Sequence, residues 1–207
     1  MNSHVGRHFA LLLTRTISLI TLLSLGAVVG CTSFSKDPKT PEGAVNQYIA
    51  ALKKQDHEAI YAMLAPSIRA DITAIYQNTT KMVDLVVKSY PSDLQASTLK
   101  DINAASLAGV TDPKSFFLKL MKKQPLPSIS KWAFYGSMIK KSTIKGANAT
   151  VSTLKGDEFH LVKGDDGVWT ILLKEKAFRS ARRKTEKNLK KIQQNIAKLK
   201  MLRTQSF

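Results

Sequence analysis

Cys31 is the only cysteine in this 207-residue chain. No intramolecular disulfide can form, and a structural zinc site built on several thiolates is excluded. Acids are scarce: 15 Asp and Glu face 32 Lys and Arg, a net charge of +17. The apolar run from Thr16 to Gly30 falls short of the roughly 20 residues a bilayer-crossing helix needs. No Ser/His/Asp nucleophile pattern, glycine-rich phosphate loop or paired acids of glycosidase type stand out. Beyond residue 30 the only histidines are His57 and His160. His57 is placed in the first turn of a surface helix. His160 is placed in a strand near Asp157 and Glu158. A lone histidine beside acids is a weak metal signal, and an exposed strand face explains it as well. No reaction is spelled out, no metal ligands are assigned, and the expected cofactor list is empty.

What the chain does have begins at its N-terminus. Arg7 and Arg15 come first, then the apolar run, then Val28-Val29-Gly30-Cys31, after which Thr32, Ser33, Ser35, Lys36 and Asp37 are polar. A positive region, a short apolar region and a small-residue boundary predict a cleavable export signal over residues 1–30. The boundary resembles the lipobox of bacterial lipoproteins: aliphatic Val28 three before the cysteine, small Gly30 directly before it, then Cys31. Val29 is bulkier than the usual residue between them. The resemblance implies diacylglycerol on the Cys31 thiol, cleavage before it, and acylation of the new amino terminus. Sulfur is the suitable nucleophile near neutral pH, and several acyl chains anchor stably where one binds reversibly. Thr32 stands where, in enteric-type bacteria, an Asp would favour inner-membrane retention. It leans toward an outer-membrane position facing the periplasm, with residues 31–39 as a lipidated polar linker.

Without residues 1–30, 177 residues remain and the charge is +15, because the signal holds only Arg7 and Arg15. That length suits one domain with an appendage. An exported basic chain points away from nucleic acid. The partners left are the membrane reached through the lipid anchor, anionic lipid, lipopolysaccharide phosphates, cell-wall carboxylates or an acidic protein.

Thr40-Pro41-Glu42 is a helix start, with a capping threonine and proline at the first helical position. Val45, Tyr48, Ile49 and Leu52 then form one apolar stripe. Asp56 caps a second helix carrying Ile60, Met63 and Leu64, which Ala65-Pro66 ends. Ser67 to Tyr90 reads as a long helix on Ile68, Ile72, Ile75, Thr79, Met82, Val83, Val86 and Val87, stopped by Pro91. Leu94 to Leu107 reads as another helix. Asp112-Pro113 starts a short one with Phe116, Phe117, Leu120 and Met121. Downstream the period falls to two. Trp132 to Ile139, Ala149 to Leu154, Phe159 to Val162 and Val168 to Ile171 read as strands, with turns at Gly146-Ala147-Asn148 and Asp165-Asp166-Gly167. Helices followed by an antiparallel meander predict an α+β domain over residues 40–173, a curved sheet with helices on one face. Residues 174–207 are a further segment. From Lys174 to Arg203, eight lysines and four arginines face Glu175 and Glu186, a net of +10. Leu189, Ile192, Ile196 and Leu199 keep a helical period, and no proline or glycine intervenes, so one basic amphipathic helix is expected.

The opening pair, with its A-x-x-x-Y-I-A-A-L-K-K-x-D pattern from Ala44 to Asp56, resembles the start of the nuclear-transport-factor-2-like superfamily, especially small bacterial lipoproteins with this cone-shaped domain. The hairpin E-F-H-L-V-K-G-D-D-G-V-W-T-I, Glu158 to Ile171, resembles its closing strands. The resemblance implies helices packed on a curved antiparallel sheet. The helical insert from about Ser67 to Lys123 is long for that family, and would cap or fill the cone. Enzymes of the superfamily, such as ketosteroid isomerase, pair a first-helix tyrosine with an aspartate base. Tyr48 and Asp71 are the matching positions here, although Asp71 lies in a stretch of helical period. A tyrosine placed as Tyr48 is more often a core residue with its hydroxyl at the rim, and that reading is preferred over the catalytic one. Tyr48, Phe116, Trp132, Phe134 and Tyr135 would line an apolar pocket, or else fill the core. The tail helix offers Arg179, Arg182, Arg183, Lys187, Lys190 and Lys191 as a basic surface. Three roles are open to it: packing on the domain, lying on an anionic membrane, or pairing in a coiled coil. The expected function is a non-enzymatic binding or scaffold lipoprotein of the cell envelope. The alternatives are a periplasmic carrier of an apolar small ligand and an isomerase- or dehydratase-like enzyme.

Overall fold

The computed structural model describes residues 36–123 and 138–205, with side-chain surroundings through residue 202. The export signal, Cys31 and the candidate pocket residues Trp132, Phe134 and Tyr135 lie outside the described residues.

Helix α1 (Pro41–Lys54) starts where its capping residues place it. The Thr40 hydroxyl accepts the Gly43 N–H at 3.1 Å, and Pro41 stands at the first helical position. The helix ends on Gln55, whose φ is 54°. Asp56 caps α2 (His57–Ala62), accepting the Ala59 N–H at 2.9 Å. Met63 and Leu64, expected inside this helix, leave it. Pro66 pushes the preceding residue toward extended geometry. The freed backbone pairs with the sheet instead: the Ile171 N–H donates to the Met63 carbonyl at 2.8 Å, and the Ala65 N–H donates to the Ile171 carbonyl at 2.9 Å.

Helix α3 (Pro66–Ser89) buries Ile68, Asp71, Ile72, Ile75, Thr79, Met82 and Val86. Val87, expected on the same stripe, is 52% exposed, because it follows Val86 by about 100° of helical rotation. The helix expected over Leu94 to Leu107 is two pieces, α4 (Ser92–Asp101) and a 3-10 turn at Ala104–Leu107. Asn103 between them is left-handed, at φ 56°, a conformation asparagine tolerates better than most residues. No residue of α4 is buried, so no apolar stripe carries it further. Asp112 opens α5 (Pro113–Lys123). Its carboxylate accepts the N–H groups of Lys114 and Ser115, while the Ser115 hydroxyl accepts those of Thr111 and Asp112. This reciprocal cap resembles a capping box. Led by the Ser115 N–H, it holds the Asp112 carboxyl below the usual carboxylate range.

Strands β1 (Ile139–Lys145), β2 (Asn148–Thr153), β3 (Glu158–Lys163) and β4 (Trp169–Ile171) form an antiparallel sheet in that order. Alternation turns Ala149, Val151, Thr153, Leu161, Trp169 and Ile171 inward. The chain is therefore α+β: among the described residues, six α-helices and an open four-stranded meander. The far edge of β4 is covered. Besides its bonds to Met63 and Ala65, it donates the Trp169 N–H to the Pro38 carbonyl at 2.8 Å. That contact corrects the expected linker. Lys36 to Lys39 dock on the domain, the Gln47 side chain donating to the Lys36 carbonyl and Thr40 N–H to that of Asp37. A Cβ on Gly43 would meet the Asp37 carbonyl oxygen at 2.0 Å, so only glycine permits this approach.

The last element is α6 (Glu175–Gln205), 31 residues and about 46 Å long. It runs parallel to α3: Arg182 meets Asp71, Thr185 meets Asn78, and Asn195 meets Tyr90. The buried side chains fall into two clusters. The larger joins α1, α2, the first half of α3, α5 and the sheet. The smaller is Met82, Val86 and Tyr90 with Ile192 and Ile196, between the second halves of α3 and α6.

Candidate functional site

The chain's charge is concentrated on α6, and packing decides which part of it is free. The inward face of α6 carries Phe178, Ala181, Leu189, Ile192 and Ile196, all buried or half-buried against the domain. The apolar stripe is spent within the chain, so packing on the domain is its observed role, and it is not a free coiled-coil seam. Arg182 lies on this side as well. Its Nε stands 3.2 Å from the Asp71 carboxylate and 3.7 Å from that of Glu186. Arg182 therefore does not belong to the expected basic surface. It is an internal ion-pair partner that neutralises a buried acid on α3.

The opposite face is different. Arg179, Arg183, Lys187, Lys190 and Lys191 are exposed. Arg179 pairs with Glu175 one turn earlier, which leaves Arg183, Lys187, Lys190 and Lys191 as the core of a cationic face. At about 100° per residue, Lys176, Lys184 and Lys198 fall on the same side. Sequence reasoning missed these three. The seven-residue spacing of Lys184, Lys191 and Lys198 was the signal that could have found them. No exposed large apolar side chain interleaves these cations, so the face can attract anionic groups, and Lys176 and Lys191 also border two of the grooves described below.

The candidate catalytic pair is divided. Tyr48 is buried on α1, edge-on to Phe159 of β3 with ring centroids 5.8 Å apart. Burial pushes its phenol up to about 12, so it stays a neutral donor across the ordinary pH range. Asp71 lies on α3 and faces Arg182 of α6 at 3.2 Å, not the first-helix tyrosine's ring partner on β3. Phe116 is also core: it is 4% exposed and tilts against Tyr76, while its neighbour Phe117 tilts against Tyr61. Tyr48 and Phe116 line none of the three cavities described below.

The largest of those is an open groove of about 780 Å³, bounded by Thr150, Glu158, Phe159 and His160 of the sheet and by Leu172 to Ala177 at the start of α6. His160 Nδ1 lies 3.2 Å from the Thr150 hydroxyl, its cross-strand partner. A second groove, about 330 Å³, lies between α1, α2 and Lys36. A third, about 230 Å³, lies between Tyr90, α4 and α6. His57 is half-buried at the start of α2. Among the described residues, no three His, Cys, Asp or Glu side chains gather to hold a metal ion, and no helix is long and apolar enough to cross a membrane.

Compared with known proteins, the chain matches no family model, no curated protein and no solved structure.

Proposed function

We propose that this chain is a cell-envelope lipoprotein, tethered by lipid on Cys31, in which a nuclear-transport-factor-2-like α+β domain serves as a non-enzymatic binding or scaffold module. Its contact surface is the outer face of α6, which meets an acidic surface or partner. One observation carries the reading: α6 uses its apolar side internally and leaves a line of cations facing outward. Four helical turns of unpaired like charge are not needed for packing, and a stability role would have favoured mixed signs. The membrane position follows from the export signal and the lipobox resemblance at Val28-Val29-Gly30-Cys31. The outer membrane, with α6 facing the periplasm, is the proposed location.

The test separates the two parts. Cys31→Ala is expected to move the protein from the membrane fraction to the soluble periplasmic fraction. A variant that stays firmly in the membrane counts against the anchor. Replacing Arg183, Lys187, Lys190 and Lys191 by Gln is expected to remove in-cell crosslinks from α6 while leaving fractionation unchanged.

A carrier role is the second reading, favoured by the groove between β2, β3 and the start of α6. Its size is that of a small-molecule site. A reproducible extra mass of a few hundred daltons in native mass spectrometry, lost on denaturation, would support it.

A further inference from the structure

We propose that the C-terminal end of α6 inserts into an anionic lipid bilayer, as the apolar tip of its cationic face. The inference rests on that face being a contact surface, and it names the surface.

Met201 and Leu202 are 64% and 63% exposed, more than any other large hydrophobic side chain among the described residues. Before them, the outer face of α6 from Lys176 to Lys200 carries no exposed large hydrophobic residue. Helical rotation puts Met201 in line with Lys187 and Gln194, and Leu202 close to the line of Lys184 and Lys191. The apolar pair thus ends the cationic face rather than extending the buried stripe. It also overhangs: Asn195 is opposite Tyr90, one residue past the end of α3, so the last turns of α6 reach beyond their partner helix. Val87 and Leu94, also exposed, lie at this same end, where α3 gives way to α4.

Cations followed by a small apolar wedge match an interfacial helix. Lysines and arginines meet anionic head groups while apolar side chains enter the acyl boundary. A second copy of the chain fits badly, because two such faces would bring like charges together. Two apolar side chains are also too little for a stable protein interface, which buries on the order of 1,000 Å² or more. A bilayer asks only for head-group contact and a shallow wedge.

The test uses the full chain with Cys31→Ser, so that one introduced thiol carries an environment-sensitive dye. Met201→Cys reports depth, and Ile144→Cys, an exposed apolar position on β1, is the control. Ser180→Cys, on the outer face of α6, reports distance to acceptor-labelled head groups by energy transfer. Vesicles are phosphatidylcholine alone or with phosphatidylglycerol mixed in. With phosphatidylglycerol, the dye at 201 is expected to shift blue and to be quenched by a bilayer-resident nitroxide, while the dye at 144 stays aqueous. In phosphatidylcholine alone the tip stays aqueous even if the N-terminal run holds the chain on the vesicle. Gln at Arg183, Lys187, Lys190 and Lys191 should cut the response at 201 about tenfold or more at low salt.

If transfer from position 180 rises with anionic lipid and the dye at 201 stays aqueous, insertion is overturned and the cationic contact surface stands. If neither changes, the contact surface falls with it. A blue shift at 201 that grows with protein concentration and needs no vesicles would mean that another copy covers the tip, and would also overturn the proposal.

Discussion

The two buried clusters are held in different ways. Beneath the sheet, Val45, Ile60, Leu64, Ile68, Phe117, Val151, Leu161 and Ile171 come from seven separate elements and the segment between α2 and α3, and each is at most 2% exposed. Between α3 and α6 the five buried residues come from two helices and the residue that follows α3, with only Leu85, Leu99, Ile102 and Leu189 packed around them. That region is a seam, and everything beyond it on α6 depends on a few side chains. Burial from many directions makes a cooperative core, whereas a single interface opens locally. A surface meant to meet a partner is better placed on the second kind of structure.

The largest effect should come from the enclosed cluster. Phe117→Ala removes a ring that is 1% exposed and leaves a cavity among side chains packed from several elements. It should lower global stability by about 3–5 kcal/mol, with amide protection in sheet and helices falling together. Ile192→Ala should cost less, about 2–3 kcal/mol, because the seam can relax toward solvent. Hydrogen exchange should then rise over residues 82–90 and 186–205 while β2 and β3 stay protected. If the sheet exchanges equally in the Ile192 variant, the two regions are one cooperative unit and the contrast is wrong.

The smallest effect is a titration that belongs to the enclosed cluster alone. Burial raises the Tyr48 phenol from 10.0 to about 12 in the folded chain. Between those values the unfolded chain loses the proton and the folded chain keeps it. Stability from this source is complete below pH 10 and falls as pH rises toward 12, by about 2–3 kcal/mol at most. Tyr48→Phe should flatten this alkaline loss in denaturant titrations run from pH 9 to pH 12. An unchanged slope would mean that the Tyr48 site opens to water before the core does.

Much of the helical half was legible because its signals are local. Thr40-Pro41, Asp56, Pro66, Pro91 and Asp112-Pro113 each act on their own backbone, and each marks a boundary within a residue or two. Asp165-Asp166-Gly167 marked the β3–β4 hairpin for the same reason: Gly167 takes φ 80° at the turn. What escaped was decided at a distance. Nothing near Met63 announces that its carbonyl will meet Ile171, more than a hundred residues later. Arg182 looks like its neighbours in sequence, and only the placement of Asp71 on α3 turns it inward. The periodicity of α6 showed that one face was apolar but not that α3 would cover it. The candidate site divided along the same line. Arg183, Lys187, Lys190 and Lys191 stand on a solvent face, as their spacing implied, whereas Tyr48 and Phe116 are core.

The docking of Lys36 to Thr40 bears on how the domain would respond to force. A pull applied at residue 36 does not first stretch a slack leash. It loads the bond from Gln47 to the Lys36 carbonyl, the turn closed by the Asp37 carbonyl, and the bond from Trp169 to Pro38. The last of these lies on the sheet edge, so tension at residue 36 reaches β4 directly. The hold is also tight in a steric sense, since Gly43 lets the chain press against the first turn of α1. This segment is a clamp, and whatever holds residue 36 would hold the orientation of the sheet with it.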